Sequence, residues 1–400
     1  MGESAASRTT RALMCLALWL VLGTIFFFAF SRGWVATWHA IGVPASTPTF
    51  MDLRGFPSGR EVALRGGDPL IANPLDPEKR RLNYPHLLGH LLWALGITDQ
   101  NIPVFGVLFA ALYLCCISWM IYESAAREGW LLLIAGLSIA PLFAIEQGNT
   151  DLLIFSLVFL AFLLRDHFSG PFVFLAATLL KIYPIAGFGV DAMRRPAKSR
   201  TVSVLLLSVA VGVFAWRWRE LDAIRHATPA TFLNSYGILS LQKLIRFWAV
   251  DRGATFQQAS YAGGLIAISC WTSAVAGFVL AWMRKPNVES DLLRSRTALL
   301  FATFAGIYLF GFFVGSNFDY RLIYLIPTLP FALEMTGRTK HFRWGFVYIV
   351  FVLLVENLVV IEFSAGLILA QFAALIVFFM ALPMFAMQLK HFYRNARGLE

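Results

Sequence analysis

Uninterrupted apolar runs constrain this chain more than any other feature. Runs at 101–122, 202–216, 261–283, 297–314, 344–362 and 366–388 carry almost no charge. A helix that crosses a bilayer needs about 20 such residues, within a range of about 17–25. Shorter runs at 86–97, 130–145, 151–164, 170–190 and 322–335 continue the pattern, with Pro184 interrupting the fourth. Together with the first run, 13–30, they make about twelve spans, the short ones tilted or extended into polar flanks. The expectation is an all-α integral membrane protein, a single polytopic domain over residues 1–400.

Composition names the outer solvent. The chain is 58% hydrophobic and 14% charged, against about 45–50% and about 25% in soluble domains. That is too little charge to coat a water-facing surface. The net charge of +10 does not mark a nucleic-acid binder, because the basic residues sit in short clusters between apolar runs. Cys15, Cys115, Cys116 and Cys270 all lie within apolar runs and read as small packed hydrophobes. The first run follows Arg8 and Arg11, as a signal peptide would. It is longer than a typical apolar region of such a peptide, and Phe26, Phe27 and Phe28 occupy the place of a small-residue cleavage site, so it reads as a retained helix.

Basic clusters set the orientation. They comprise Arg194, Arg195, Lys198 and Arg200; Arg284, Lys285, Arg294 and Arg296; Arg338, Lys340 and Arg343; and Lys390, Arg394 and Arg397. The positive-inside rule makes all four cytoplasmic, with both termini, and an even number of spans allows it. The long loop 31–85, the loop 217–260 and the turn 315–321 then face outward. The first of these holds Arg54, Arg60, Arg65, Lys79, Arg80 and Arg81 against the trend. Either the topology departs there, or those side chains serve a purpose that outweighs the bias. No internal repeat is visible, which disfavours a secondary transporter.

Six polar motifs interrupt the apolar pattern. Asp52 in Phe50–Gly55 is either a solvated loop carboxylate or a general base at the membrane surface. Asn83-Tyr84-Pro85-His86 is a helix entry, with Tyr84 an interface residue or part of a site wall. Glu146, Gln147, Asn149 and Asp151 form a polar break between two apolar runs. Asn149 or Asp151 can cap the next helix, yet the group is more polar than a cap requires. Lys181 lies inside an apolar segment, where a charge marks a pathway, a ligand or a partner, unless it snorkels to the interface. Asn234 and Ser235, before Gly237, read as a turn. Asn317, Asp319, Tyr320 and Arg321 crowd one short outer turn, where Asp319 and Arg321 either pair or serve a site. An arginine suits phosphate because its planar fork donates two bonds at once.

Taken in order, these motifs resemble glycosyltransferase family 87, the membrane mannosyltransferases of the C-type superfamily that use polyprenyl-phosphate sugars. The family's Asp-Leu corresponds to Asp52-Leu53, and its Tyr-Pro-Pro to Tyr84-Pro85-His86. Its Gly-Gln-Asn segment is similar to Gln147-Gly148-Asn149, and its Lys-x-x-Pro to Lys181–Pro184. A Phe-Asn-Gln-Ser segment looks like Phe232-Leu233-Asn234-Ser235, and a closing Leu-Ile-Pro like Leu325-Ile326-Pro327. The resemblance runs from about residue 50 to residue 335. The chain departs from it in having Tyr84-Pro85-His86 for Tyr-Pro-Pro, Gln147 and Gly148 transposed, and Tyr320-Arg321 for a His pair.

The resemblance implies an inverting transfer of a sugar from a polyprenyl phosphate to a hydroxyl of a glycolipid or glycan on the outer face of a bacterial inner membrane. Asp52 would be the base. Arg321 and Arg54 would stabilise the departing phosphate, with Lys181 helping if it reaches the cavity, and Tyr320 and Asn234 would contact substrate. Tyr84, Gln147, Asn149 and Asp319 would wall the site. No cofactor is implied. No Asp-x-Asp triplet, zinc-type Cys/His spacing or glycine-rich phosphate loop is present, so neither a metal clamp nor a soluble nucleotide sugar is indicated. Competing classes are a flippase for lipid-linked sugars, a ligase or polymerase of lipid-linked glycans, and a noncatalytic assembly subunit.

Overall fold

The computed structural model describes residues 5–195, 197–229, 235–283, 290–314, 317–335, 347, 350 and 364–396. Internal packing divides the chain into two units, Met1–Phe188 with Val202–Pro229, and Gly189–Thr201 with Ala230–Glu400.

The first unit opens with α1 (Ala5–Arg32), whose Arg32 lies in the last turn, where the helix dipole favours a cation. Next come α2 (Trp34–Ala40), α3 (Met51–Leu64), α4 (His86–Ala94), α5 (Ile102–Glu123), α6 (Ala126–Gly136), α7 (Ile139–Gln147), α8 (Asp151–Leu163) and α9 (Gly170–Leu180). Most of α10 (Ile185–Arg194) and the start of α11 (Ala197–Trp216) belong to the second unit, and the rest of α11 with α12 (Trp218–Ala227) belongs to the first. Local chemistry sets several boundaries. Gly148 ends α7 in the left-handed region, at φ 62°, which glycine enters without penalty. Between α6 and α7 the axis bends by 47°. Pro141 stands in the first turn of α7, where its missing N–H is tolerated. Helix α9 stops at Lys181, which is extended at φ −149° and ψ 139°. Pro184 explains the stop, since it lacks a donor and pushes Tyr183 out of the helical region.

The second unit contains a two-residue strand β1 (Ser235–Tyr236), then α13 (Ile238–Asp251), α14 (Phe256–Met283), α15 (Ser290–Leu293) and α16 (Arg296–Val314). Strand β2 (Asn317–Phe318) precedes a 3-10 helix, Asp319–Thr328, and then come α17 (Leu329–Glu334) and α18 (Ser364–Ala396). Strands β1 and β2 pair antiparallel, with Ser235 opposite Phe318 and Tyr236 opposite Asn317. Helix α16 is the core of this unit and packs on the 3-10 segment, α17 and α18. Tyr308 of α16 stacks on Tyr236 at 5.5 Å, and Phe312 stacks on Phe378 of α18 at 4.6 Å.

Among the described residues, six helices are long and apolar enough to cross a membrane: α1, α5, α11, α14, α16 and α18. The bent pair α6 and α7 makes a seventh if it counts as one span. Several expected runs take other forms. The run 86–97 yields the nine-residue α4, about 14 Å long, against a hydrocarbon core of about 30 Å. The run 170–190 breaks at Lys181, and the run 322–335 is mostly 3-10 helix. The run 344–362 lies outside the described residues apart from Val347 and Val350. The loop 31–85 contains α2 and α3, and the loop 217–260 contains α12, β1 and α13.

Candidate active site

The first unit assembles its polar groups around the start of α3. Phe50, just before that helix, adopts φ 55°, a left-handed conformation that bulky side chains rarely enter. Packing imposes it. The Phe50 side chain is fully buried, with its ring 4.6 Å from that of Trp34. A Cβ on Gly106 of α5 would lie 2.5 Å from that ring, and one on Gly148 would lie 2.9 Å from Phe50 Cβ. Two glycines therefore let the backbone before Asp52 close onto α5 and onto the α7–α8 junction. Met51 and Leu53 are buried, while Asp52 between them keeps a partly exposed carboxylate.

Each oxygen of that carboxylate has one protein donor. Arg80 Nη1 donates to Oδ1 at 3.0 Å, and Asn149 Nδ2 donates to Oδ2 at 2.5 Å. Asn149 does two jobs, because its Oδ1 accepts the backbone N–H of Asp151 at 2.8 Å at the start of α8. Asn149 thus ties the start of α8 to the Asp52 carboxylate. Arg80 is itself fixed. Its Nε donates to Asp76 Oδ1 at 3.2 Å and its Nη2 to the Met51 carbonyl at 2.7 Å. Asp76 is almost fully buried and accepts the backbone N–H groups of Glu78 and Arg80 at 3.0 and 3.1 Å, around a left-handed Lys79. Burial opposes the charge on Arg80, but Asp52, Asp76 and Glu78 outweigh it and hold the guanidinium pKa above its ordinary value. The result is a chain, Asp76–Arg80–Asp52–Asn149, that orients one accessible carboxylate.

Two buried polar groups flank it. Glu146 Oε1 accepts Trp34 Nε1 at 2.8 Å and the Ser46 N–H at 3.2 Å, and Oε2 accepts Gln147 Nε2 at 2.5 Å. Gln147 thus serves Glu146. The second group joins α8 to the break after α9. Lys181 Nζ bonds Asp151 Oδ1 at 2.5 Å, and the Tyr183 hydroxyl donates to the same oxygen. Lys181 also stands 4.8 Å from the centre of the Tyr84 ring, which stacks on Phe56 at 5.1 Å. Lys181 is 4% exposed and Asp151 fully buried, so the ammonium is paired inside the protein and does not snorkel.

Arg54 sits elsewhere. Its Nε donates to the Thr49 carbonyl at 3.0 Å, and its Nη1 lies 3.9 Å from the exposed Asp99. In the second unit, Arg321 Nη1 donates to Asn317 Oδ1 at 2.6 Å, and Asn317 Nδ2 donates to the Gly311 carbonyl at 2.5 Å. Tyr320 is buried and stacks on Phe318 at 5.4 Å, and Asp319 is buried beside it at the start of the 3-10 helix. Asn234 lies outside the described residues.

No protein-family model, curated protein or solved structure matches the chain. Reading the sequence did not single out Asp76, Arg80, Trp34 or Tyr183. Arg80 was visible only as one of six basic residues in the first loop, and nothing local distinguished it from Arg54. No group of three or more His, Cys, Asp or Glu side chains among the described residues is placed to hold a metal ion.

Proposed function

We propose that this protein is an inverting glycosyltransferase that moves a sugar, mannose by resemblance, from a polyprenyl phosphate to a hydroxyl of a membrane glycolipid or glycan. The observation that carries the reading is the Asp52 carboxylate, partly exposed in the first turn of a helix and held at both oxygens. An ionised carboxylate has about four lone-pair positions. Two are used here, so an acceptor hydroxyl can donate to a third without displacing Arg80 or Asn149. The acceptor oxygen attacks the anomeric carbon as its proton passes to Asp52. The bond from that carbon to the phosphate oxygen breaks, and its electron pair leaves with the lipid phosphate. The phosphate gains a negative charge and calls for fixed cations rather than an acid.

The reading carries the finer topology with it. It takes about twelve spans in a C-type arrangement, short and broken runs included, with both termini cytoplasmic and residues 31–85 outside a bacterial inner membrane. A second reading, translocation of a lipid-linked sugar, draws support from the Lys181–Asp151 pair buried among apolar helices.

The test supplies radiolabelled mannosyl-phosphoryl-polyprenol and extracted membrane glycolipids to the purified protein in nanodiscs. Wild type should transfer the label, and a folded Asp52→Asn variant should bind donor but transfer at least about a hundredfold more slowly. Equal transfer by both removes Asp52 from the mechanism. Donor binding without transfer, together with translocation in sealed vesicles, selects the second reading.

A further inference from the structure

The hairpin of α13 and α14 carries a built surface that the site above does not use. Gly253, at φ 88°, turns the chain between the two helices. Close packing follows, because a Cβ on Gly263 would lie 3.1 Å from the Gln242 carbonyl and 3.3 Å from Arg246 Cγ. The stem of Arg246 therefore lies against α14, and its guanidinium sits over the Phe256 ring, 4.5 Å from the centroid. At the end of α13 the Arg252 guanidinium sits 3.7 Å over the ring of Trp248. Phe247, Trp248, Phe256 and Tyr261 are all exposed around them.

Length places this surface at the edge of a bilayer. Helix α14 has 28 residues, so it is about 42 Å long, against an apolar core of about 30 Å. Its uncharged apolar run begins only at Tyr261, so the first turn, with Phe256, Gln257 and Gln258, stands in the headgroup layer. Exposed aromatic residues are enriched at that depth. A guanidinium stacked by its face on a ring still offers its N–H edge, and that edge matches phosphate oxygens. Both arginines are anchored to rings, and among the described residues neither is in a salt bridge with a carboxylate.

We propose that the α13–α14 hairpin binds the phosphate of an anionic membrane phospholipid, with Arg246 and Arg252 as the two phosphate donors and their aromatic neighbours seated at the boundary between headgroups and acyl chains. The surface is independent of the Asp52 site and of the reaction proposed for it.

The test uses the full chain in nanodiscs of phosphatidylcholine containing phosphatidylglycerol, with retained lipid counted by native mass spectrometry after transfer to detergent. Wild type should retain phosphatidylglycerol over phosphatidylcholine. A charge beside an anionic bilayer contributes about fivefold in affinity, so Arg246→Gln/Arg252→Gln should lose about 25-fold, with an unchanged melting temperature. Arg246→Lys/Arg252→Lys keeps the charge and loses the fork, and should fall between the two. Unchanged phosphatidylglycerol retention by the Gln pair overturns the proposal. Full retention by the Lys pair overturns the stacked-fork geometry.

Discussion

The Lys181–Asp151 pair makes a quantitative prediction. The two charged atoms are 2.5 Å apart, and the side chains are 5% and 0% exposed. At an effective dielectric of about 20 the gross attraction is about 7 kcal/mol. Desolvation of both ions offsets most of it, so the pair's net contribution is small. Removing one partner is different, because the remaining charge stays buried. Lys181→Met should therefore destabilise the protein by about 3–5 kcal/mol, and Asp151→Leu by a similar amount. The double variant buries no charge. It should lose the bond from the Tyr183 hydroxyl and the contact of Lys181 with the Tyr84 ring, about 1 kcal/mol each, and recover most of the stability.

Equilibrium unfolding in mixed micelles, followed by the fluorescence of the 12 Trp residues, measures the full double-mutant cycle. A double variant no more stable than the sum of its single changes would falsify the argument, as would a Lys181→Met variant as stable as wild type. The cycle also assigns the role of Lys181. The Asp151 N–H that Asn149 caps belongs to the backbone and survives Asp151→Leu, so the Asn149–Asp52 bond should persist. Sugar transfer by the stable double variant makes the pair structural. Its loss with fold intact means that Lys181 touches substrate.

Three further outcomes follow from packing and charge. Gly106→Ala adds a methyl 2.5 Å from the Phe50 ring and should cost about 1–3 kcal/mol while lowering sugar transfer, since Phe50 sets the backbone before Asp52. Gly212→Ala on α11, where nothing lies within 4 Å, should stabilise by up to about 1 kcal/mol, and the reverse ranking in a melting assay refutes the packing. Outside the spanning helices, His86 Nδ1 lies 3.1 Å from Glu220 Oε1, with Arg217 on the other oxygen at 2.6 Å and Asp68 at 3.6 Å from Nε2. The bond to Glu220 outweighs burial and raises the His86 pKa from 6.5. Burial opposes charge on Glu220, but its bonds with His86 outweigh it and lower that pKa from 4.5. The stabilisation from His86 is complete below pH 6.5 and is lost as pH rises through the raised value. That from Glu220 is complete above pH 4.5 and is lost as pH falls through the lowered value. Wild type should melt highest between these limits, and His86→Gln should flatten the alkaline decline; parallel pH profiles for the two proteins refute this.

The sequence by itself determined what depends on local chemistry and on solvent. Apolar runs longer than about 17 residues are long enough to cross a bilayer, so the long helices α5, α14, α16 and α18 were legible as runs before any contact was known. The stop after α9 was legible in Pro184, and residues 146–151 carry more polarity than a cap requires. Tertiary structure decided the partners. Arg54 stands two residues from Asp52 in sequence, but both lie on α3, where such neighbours point in different directions. Arg80 is 28 residues away, and a tight turn around Asp76 brings it to 3.0 Å. A charge such as Lys181 in an apolar run marks a pathway, a ligand or a partner, and α8 supplies a partner in Asp151. Hydropathy measures each residue against a solvent. Which carboxylate meets which cation depends on the dihedrals of Phe50 and Gly148 and on two glycines that let distant segments approach, and no pattern along the chain records that approach.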